Sequence, residues 1–366
     1  MLIDTLKNGD RVYRYNKSII VEFKGKRGTL STGAINSGYS ESLKYIFNHD
    51  AKSSPGMGCK LKAPTYTEHM EIIAEELGLN PIYASGIGTA ADMENVSIVT
   101  KSHGELHVTA LITGGVETNG GRVGDPASFV EENSQIEVLK PGTINILLMI
   151  DGHLNPGTLA RTIITATEAK TATIQELLVG SNYSTGLATG SGTDGIITYC
   201  NLESSRKYNN AGKHSKLGEL IGVAVKEALK KALNMQSDLN EETQKSIFKR
   251  AKRYGITSES TWNKYIGTEQ ENKITKLEYM DKILKIERDE RLVLYTSLLL
   301  HLFDQLKWGL LSLESVLEGG ESLLKEMFFD ENLKLDNVNL DEELISQIIL
   351  KIQIGLNNLI GDDFNV

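Results

Sequence analysis

Residues 142–151, GTINILLMID, form a run of mostly apolar side chains that begins with a glycine and ends with an aspartate. A short apolar run of this kind predicts a strand. Because polar residues do not alternate with the apolar ones, both faces of the sheet that holds this strand are expected to be covered. The segment 195–200, GIITYC, has the same character. The chain is therefore expected to build a sheet with packed layers on both sides.

The two halves of the 366-residue chain differ in composition. Residues 1–235 are rich in glycine, threonine and β-branched residues, whereas residues 236–366 contain few glycines, no proline and long helical patterns. This change predicts a domain boundary near residue 236. Strands in the first half come mostly in hairpins, so we expect an α+β fold, a sandwich of a mixed or antiparallel sheet with packed helices. The second half is predicted to be an all-α C-terminal extension of four or five helices, whose role the sequence leaves open.

Local patterns predict the individual elements. Asn16 and Lys17 are expected to form the turn of a hairpin over 11–23, and residues 102–104 the turn of a hairpin over 96–113. A strand is predicted over 28–32. Helices are predicted within 40–50, 65–79, 156–178 and 215–233, with Thr65 or Thr67 as a cap of the second.

Composition and charge exclude several classes of function. A net charge of -9 and a pI near 5.4 argue against a nucleic-acid partner. The absence of a long apolar run argues against a membrane span or a signal peptide, so a cytoplasmic location is expected. Cys59 and Cys200 form no CxxC pair, which argues against a disulfide framework or a protein metal site.

Four glycine-rich segments follow or precede predicted strands: 31–39, 113–126, the start of 141–151, and 184–195. Small residues let backbone N–H groups approach a ligand closely. Four such segments indicate a shared concave site for a bulky ligand, the alternative being ordinary connecting loops.

A few charged residues are candidates for chemistry. Lys170 lies on the apolar stripe of the helix 156–178, so its side chain either extends to solvent or pairs with a buried acid. Asp125 and Asp194 each end a glycine-rich segment, where an aspartate caps its own turn or acts as a general base. Glu168 lies on the more polar side of the same helix. No phosphate-binding GxxxxGK[ST], GxSxG or HExxH motif is present.

The segments HVTALITGGVETNGGRVGDPAS, PGTINILLMID, TEAKTATIQEL, STGLATGSGTDGI and GKHSKLGELIGVAVKEAL occur in this order. Together they resemble the adenosylcobinamide amidohydrolase family (CbiZ type) over residues 18–233. The resemblance implies corrinoid salvage for cobamide (vitamin B12) synthesis, by hydrolysis of the amide that joins the aminopropanol arm to the corrin ring. It implies a corrinoid as the small-molecule partner. The cobalt then belongs to the substrate, and the protein needs no cofactor of its own.

Within this interpretation, water or a hydroxyl nucleophile attacks the amide, with Asp125 or Glu168 as the predicted base. Lys170, Asn145 and loop N–H groups are expected to stabilise the oxyanion, and His107 or His214 to protonate the leaving amine. Asp194 is expected to position Lys170 or the substrate. The predicted substrate-binding residues are Thr32, Asn36, Gly114, Gly115, Asn119, Gly120, Gly121, Asn145, Thr193, Asp194 and His214. Two alternatives stay open: a non-catalytic corrinoid-binding protein, and another amidase or acyl transferase with a threonine or serine nucleophile, which an acyl group trapped on Thr32 or Thr193 would support. Homo-oligomerisation through the C-terminal helices is a further expectation.

Overall fold

A computed structural model describes residues 1–52, 61–127, 142–267 and 274–361. The chain divides into two compact units, Met1–Asn240 and Glu241–Val366. The expected boundary at 235/236 lies within the last helix of the first unit, which extends to Ser237. Cys59 lies outside the described residues, and Cys200 is a buried free thiol.

The first unit contains both strands and helices. In chain order these are β1 (Leu2–Thr5), β2 (Arg11–Tyr15), β3 (Ser18–Glu22), β4 (Arg27–Ser31), β5 (Gly38–Ser40), β6 (Tyr45–Asp50), α1 (Tyr66–Glu76), β7 (Ala84–Thr89), β8 (Ser97–His103), β9 (Leu106–Gly114), β10 (Gly120–Gly121), β11 (Ile144–Ile150), β12 (His153–Leu154), α2 (Pro156–Glu176), β13 (Gly190–Ser191), β14 (Gly195–Asn201), β15 (Lys207–Tyr208) and α3 (Lys216–Ser237).

Two mixed sheets form the centre of this unit. The five-stranded sheet has the order β1-β2-β3-β6-β7, and the six-stranded sheet has the order β5-β4-β14-β11-β9-β8. The pairs β6/β7 and β11/β14 are parallel, and the other neighbours in both sheets are antiparallel. All seven residues of β11 are buried. The prediction of an α+β sandwich with a mixed sheet and a central buried strand is confirmed.

The sheets and helices stack in four layers. Apolar residues such as Val21, Ile46 and Leu147 fill the space between the two sheets. Helix α1 covers the other face of the five-stranded sheet, with Phe47 and Met70 in that core. Helices α2 and α3 cover the other face of the six-stranded sheet. Each sheet is therefore buried on both faces, as the apolar strands require.

Most local predictions for this unit are confirmed. Asn16 and Lys17, which connect β2 to β3, have φ values of 44° and 56°, as the tight turn of a two-residue hairpin requires. Thr65 caps α1 in a reciprocal arrangement with Glu68. Asn155 caps α2, whose first residue is a proline.

The helix predicted within residues 40–50 is wrong. Residues Tyr45–Asp50 form β6, which pairs with β3 on one side and β7 on the other. The sequence YIFNHD begins with three residues that favour strands. Its pairing with two neighbouring strands therefore determines a strand where a helix was predicted.

The second unit is all-helical in its described residues, in agreement with the predicted all-α extension, although these residues form six α-helices where four or five were predicted. Its helices are α4 (Ile247–Ala251), α5 (Ser258–Ile266), α6 (Lys276–Ile286), α7 (Glu290–Lys307), α8 (Leu313–Phe328) and α9 (Asp341–Gly361). Phe303, Leu324 and Ile348 belong to its common apolar core. Among the described helices of both units, none has the length and apolar character that a membrane span requires.

Candidate functional site

Three glycine-rich segments meet at one edge of the six-stranded sheet. Strand β9 ends at Gly114, which lies opposite Ile144 at the start of β11. Strand β14 starts at Gly195, which lies opposite Asn145. The loops 114–126, 142–144 and 180–195 therefore converge. We call these three segments the glycine-rich edge.

Backbone hydrogen bonds hold two of these loops against each other. The short strands β10 and β13 pair through Gly120 with Ser191 and Gly121 with Gly190. The N–H of Asn182 donates to the carbonyl oxygen of Gly120 at 2.8 Å. Because the pairing residues are mostly glycines, the two backbones lie close together with few side chains between them.

Asp194 connects three segments of the chain at this edge. Its Oδ1 accepts hydrogen bonds from the N–H of Ile144 at 3.0 Å and from the hydroxyl of Ser191 at 2.7 Å. Its Oδ2 contacts the ammonium group of Lys170 on α2. Lys170 is only 8% exposed. Of the two possibilities for Lys170, the structure therefore shows pairing with an acid, the partly buried Asp194.

Two threonine hydroxyls lie beside this network. Oγ1 of Thr143 is 2.6 Å from Oγ1 of Thr193, and both lie within hydrogen-bond distance of the carbonyl oxygen of Gly142, at 2.8 and 3.0 Å. The side-chain amide of Asn119 donates to the same carbonyl at 3.0 Å. A carbonyl oxygen has two lone pairs, so it can accept good hydrogen bonds from Asn119 and from only one of the two hydroxyls. The second hydroxyl donates to its neighbour and keeps acceptor capacity for another partner.

Asp125 accepts hydrogen bonds from the loops of the glycine-rich edge. Its Oδ2 accepts hydrogen bonds from the hydroxyl of Ser181 at 2.6 Å and from the N–H of Arg122 at 2.8 Å. Burial alone would raise the pKa of Asp125, but hydrogen bonds from Ser181, Ser184 and Arg122 outweigh it and lower the pKa below its usual value. A carboxylate with a lowered pKa is a weaker base, so this geometry favours the turn-capping role over general-base catalysis.

Asn145 lies beneath the glycine-rich edge, between the two sheets. It is 1% exposed, and its amide group donates to Oδ1 of Asn48 and to the carbonyl oxygen of Gly88. A Cβ atom at Gly195 would lie 2.8 Å from Oδ1 of Asn145. Among the described residues, that Oδ1 atom has no hydrogen-bond partner. Asn145 therefore lies below the loops, and its side chain is not one of the loop side chains of the glycine-rich edge.

The first glycine-rich segment, 31–39, contributes Thr32 next to the same edge. The hydroxyl of Thr32 accepts from the N–H of Ile196 at 2.9 Å, so it extends the ladder between β4 and β14. Asn36 has a different role. Its amide donates to the carbonyl oxygens of Pro81 and Ala84, at 2.7 Å each, and anchors the turn that precedes β7.

Three predicted residues lie away from the glycine-rich edge. His107 is near the start of β9, six residues before Thr113, and therefore about 20 Å away along the strand. Glu168 is exposed on α2, 3.1 Å from Lys213, and His214 is exposed next to that lysine. A proton-transfer group must reach its target directly or through one water. The structure therefore does not bring His107, Glu168 or His214 together with Asp125, Lys170 and Asp194.

Several polar residues of this region were not predicted. They are Thr143, Ser191, Tyr183, whose hydroxyl donates to Oδ1 of Asn119 at 2.7 Å, and the inter-sheet residues Asn48 and Thr113. Ser191 carried a signal in the sequence, since a serine three residues before an aspartate often shares its turn. Asn48 carried none, because its segment was predicted to be a helix.

Comparison with known proteins connects this geometry to a family. The model of the adenosylcobinamide amidohydrolase family matches residues 3–241, which correspond to the first unit. An uncharacterized protein of Methanocaldococcus jannaschii is 33% identical over 241 residues, which cover 63% of this chain and 91% of the relative. An adenosylcobinamide amidohydrolase of Methanosarcina mazei is 29% identical over 225 residues, which cover 59% of this chain and 94% of the relative.

Proposed function

The chain belongs to the adenosylcobinamide amidohydrolase family, and from this membership we propose that it hydrolyses the amide between the corrin ring and the aminopropanol arm of adenosylcobinamide. Water adds across the C–N bond. The acyl carbon keeps the oxygen, giving adenosylcobyric acid, and the nitrogen leaves as aminopropanol. Cobalt enters and leaves with the corrinoid, as part of the substrate.

The observation that carries this proposal is the convergence of loops 114–126, 142–144 and 180–195 at one edge of the sheet. A corrinoid is large, flat and surrounded by amide groups. Such a ligand suits a wide site that offers backbone N–H and C=O groups and small hydroxyl side chains. The polar groups of the glycine-rich edge are of this kind.

We propose that Thr193 contacts the reacting amide. Hydrolysis of an amide needs an attacking oxygen and hydrogen-bond donors for the developing oxyanion. The carboxylate of Asp194 already accepts hydrogen bonds from Ile144, Ser191 and Lys170, so it is committed to protein groups. Thr193 is partly exposed, and its hydroxyl is hydrogen-bonded to the hydroxyl of Thr143. It is therefore the side chain of this network that is best suited to meet a ligand.

The proposal is tested by mixing the purified full-length chain with adenosylcobinamide and separating the corrinoids by chromatography with mass detection. Formation of adenosylcobyric acid together with free aminopropanol is the expected result. An unchanged corrinoid that elutes with the protein would support a binding protein instead. An unchanged corrinoid that does not bind would overturn the proposal.

Variants then test the assignment of Thr193. We expect T193A to lower kcat at least 100-fold and T193S to retain most of it, because serine keeps the hydroxyl. The control is S204A, since Ser204 follows the opposite end of β14. A protein mass increased by the adenosylcobyryl group would identify a hydroxyl nucleophile. Full turnover by T193A would remove Thr193 from the site.

A further inference from the structure

The backbone of Gly190 covers the ion pair between Lys170 and Asp194. A Cβ atom built on Gly190 would lie 2.3 Å from Oδ2 of Asp194 and 2.6 Å from Nζ of Lys170. Non-bonded atoms do not approach this closely, so a side chain at position 190 would displace the carboxylate or the ammonium group from its present place. Gly190 is itself buried.

The helical neighbours of Lys170 are also buried. On α2, Ala166 and Ile174 lie one turn before and after Lys170, and both are fully buried. A group that stabilises an oxyanion must lie about 3 Å from it. The ammonium group instead contacts the carboxylate of Asp194 and lies close to the backbone of Gly190. This geometry favours an indirect role for Lys170 over the direct contact with substrate that the sequence suggested.

Asp194, the partner of Lys170, also accepts hydrogen bonds from two segments of the chain. Asp194 binds the N–H of Ile144, which is the first residue of β11, and also the N–H and hydroxyl of Ser191. These bonds fix segment 142–144 against segment 189–195. The hydroxyls of Thr143 and Thr193 meet at this same junction.

We infer that Lys170 is a positioning residue that acts through Asp194. This inference rests on the proposed function. The ammonium group compensates the charge of the partly buried carboxylate, and the carboxylate then holds the two segments that carry Thr143 and Thr193 against each other. Without Lys170, the carboxylate would be a partly buried charge without a cation, and it would gain by rotating away from these segments towards solvent.

A double-mutant cycle on hydrolysis separates positioning from direct contact. K170M leaves Asp194 unpaired, D194N leaves Lys170 unpaired, and K170M/D194N removes both charges while keeping an oxygen acceptor for the N–H of Ile144. We expect each single variant to lower kcat at least 30-fold, and the double variant to recover at least 10-fold relative to K170M. If the double variant is as slow as K170M, Lys170 acts on the substrate and the inference is overturned.

Hydrogen exchange of the full-length chain without substrate gives a test that does not depend on activity. We expect the amides of Ile144 and Ser191 to exchange at least 10-fold faster in K170M and to return towards the wild-type rate in the double variant. G190A, whose methyl group would displace the carboxylate or the ammonium group without removing a charge, should change exchange in the same direction as K170M. The control is K226M, because Lys226 forms an exposed ion pair with Glu176 between α2 and α3.

The hydrolysis assay and the hydrogen-exchange measurement can fail independently of each other. If the wild-type chain does not hydrolyse adenosylcobinamide, the proposed function fails, whereas the exchange result still shows whether Lys170 orders the two segments. If exchange at Ile144 and Ser191 is unchanged in both K170M and G190A, the positioning role is overturned, even for an active enzyme.

Discussion

The side-chain amide of Asn145 donates a hydrogen bond to Oδ1 of Asn48 at 2.8 Å, and this bond joins the two sheets. Asn145 belongs to β11 of the six-stranded sheet and Asn48 to β6 of the five-stranded sheet. The amide of Asn48 in turn donates to Oγ1 of Thr113 at 2.8 Å. All three side chains are buried. Directional polar contacts, as well as apolar packing, thus fix the relative position of the sheets beneath the glycine-rich edge.

Replacing Asn145 with alanine is expected to destabilise the first unit. N145A leaves the buried Oδ1 of Asn48 and the carbonyl oxygen of the partly buried Gly88 without this donor. An unsatisfied buried group costs about 1–3 kcal/mol and a partly buried one costs less, so we expect the free energy of unfolding to fall by about 2–4 kcal/mol.

Urea unfolding followed by far-UV circular dichroism measures this change, since both tryptophans of the chain lie in the second unit. The control is N209A at an exposed asparagine, for which a change within about 0.5 kcal/mol is expected. A loss below about 1 kcal/mol in N145A would mean that water or a rearranged Asn48 replaces the missing donor.

The stability of the first unit is expected to fall between pH 7.5 and pH 5 because of His49. Burial, followed by the charges of His69 and Lys62, lowers the pKa of His49 to about 4. In the folded chain the imidazole stays neutral and lies 2.8 Å from Oγ of Ser18. In the unfolded chain it binds a proton near pH 6.5, so acid favours unfolding by about 2 kcal/mol at pH 5.

Urea unfolding at the two pH values tests this contribution. We expect H49N to lose most of the His49 part of the pH dependence, because asparagine keeps a group that can bond to Ser18. Some dependence remains, since burial also lowers the pKa of His69. The control H214Q, at an exposed histidine, should keep the wild-type slope. An H49N slope equal to that of the wild type would show that other groups titrate in this range.

Asp125 is expected to contribute to activity through loop structure and not as a base. D125N keeps an oxygen that can accept hydrogen bonds from the hydroxyl of Ser181 and the N–H of Arg122, whereas D125A removes the acceptor. We therefore expect D125N to lower kcat/KM less than 10-fold and D125A to lower it more. The measurement is steady-state hydrolysis of adenosylcobinamide at several pH values. If D125N abolished turnover while D125N and D125A kept wild-type stability, Asp125 would be the base after all.

Much of the fold followed from the sequence because local patterns and tertiary environment agree there. The apolar run of β11 predicted a strand buried on both faces, and the positions of Asn16, Lys17 and Thr65 predicted a turn and a cap. The prediction failed at β6, where pairing with β3 and β7 determines the conformation. No local signal reports that pairing.

The candidate site was predictable in its outline but not in its connections. Clustered glycines indicated that several loops share one location, and three of them do. Spacing along one helix placed Lys170 on a buried stripe, but it could not identify Asp194, 24 residues later, as its partner. His107 and His214 were chosen by residue type alone. Their distance from the loops depends on strand direction and helix packing, which the sequence does not encode locally.

The second unit contains a buried ion pair whose loss is expected to be costly. The guanidinium of Arg253 forms two hydrogen bonds of 2.6 Å with the carboxylate of Asp304, and the hydroxyl of Tyr254 donates to the same carboxylate at 3.0 Å. R253M leaves that buried carboxylate without its cation. Loss of one partner of a buried pair costs about 3–5 kcal/mol, and we expect a loss of this size.

Tryptophan fluorescence during urea unfolding measures the effect, because Trp262 and Trp308 both belong to this unit. The double variant R253M/D304N should lose less than half as much as R253M, since it leaves no unpaired charge. The control is K285M, whose exposed partner is Asp281, and a change of at most about 1 kcal/mol is expected there. If R253M were no more destabilising than K285M, the ion pair of Arg253 and Asp304 would contribute no more to stability than an exposed pair, and the prediction would be wrong.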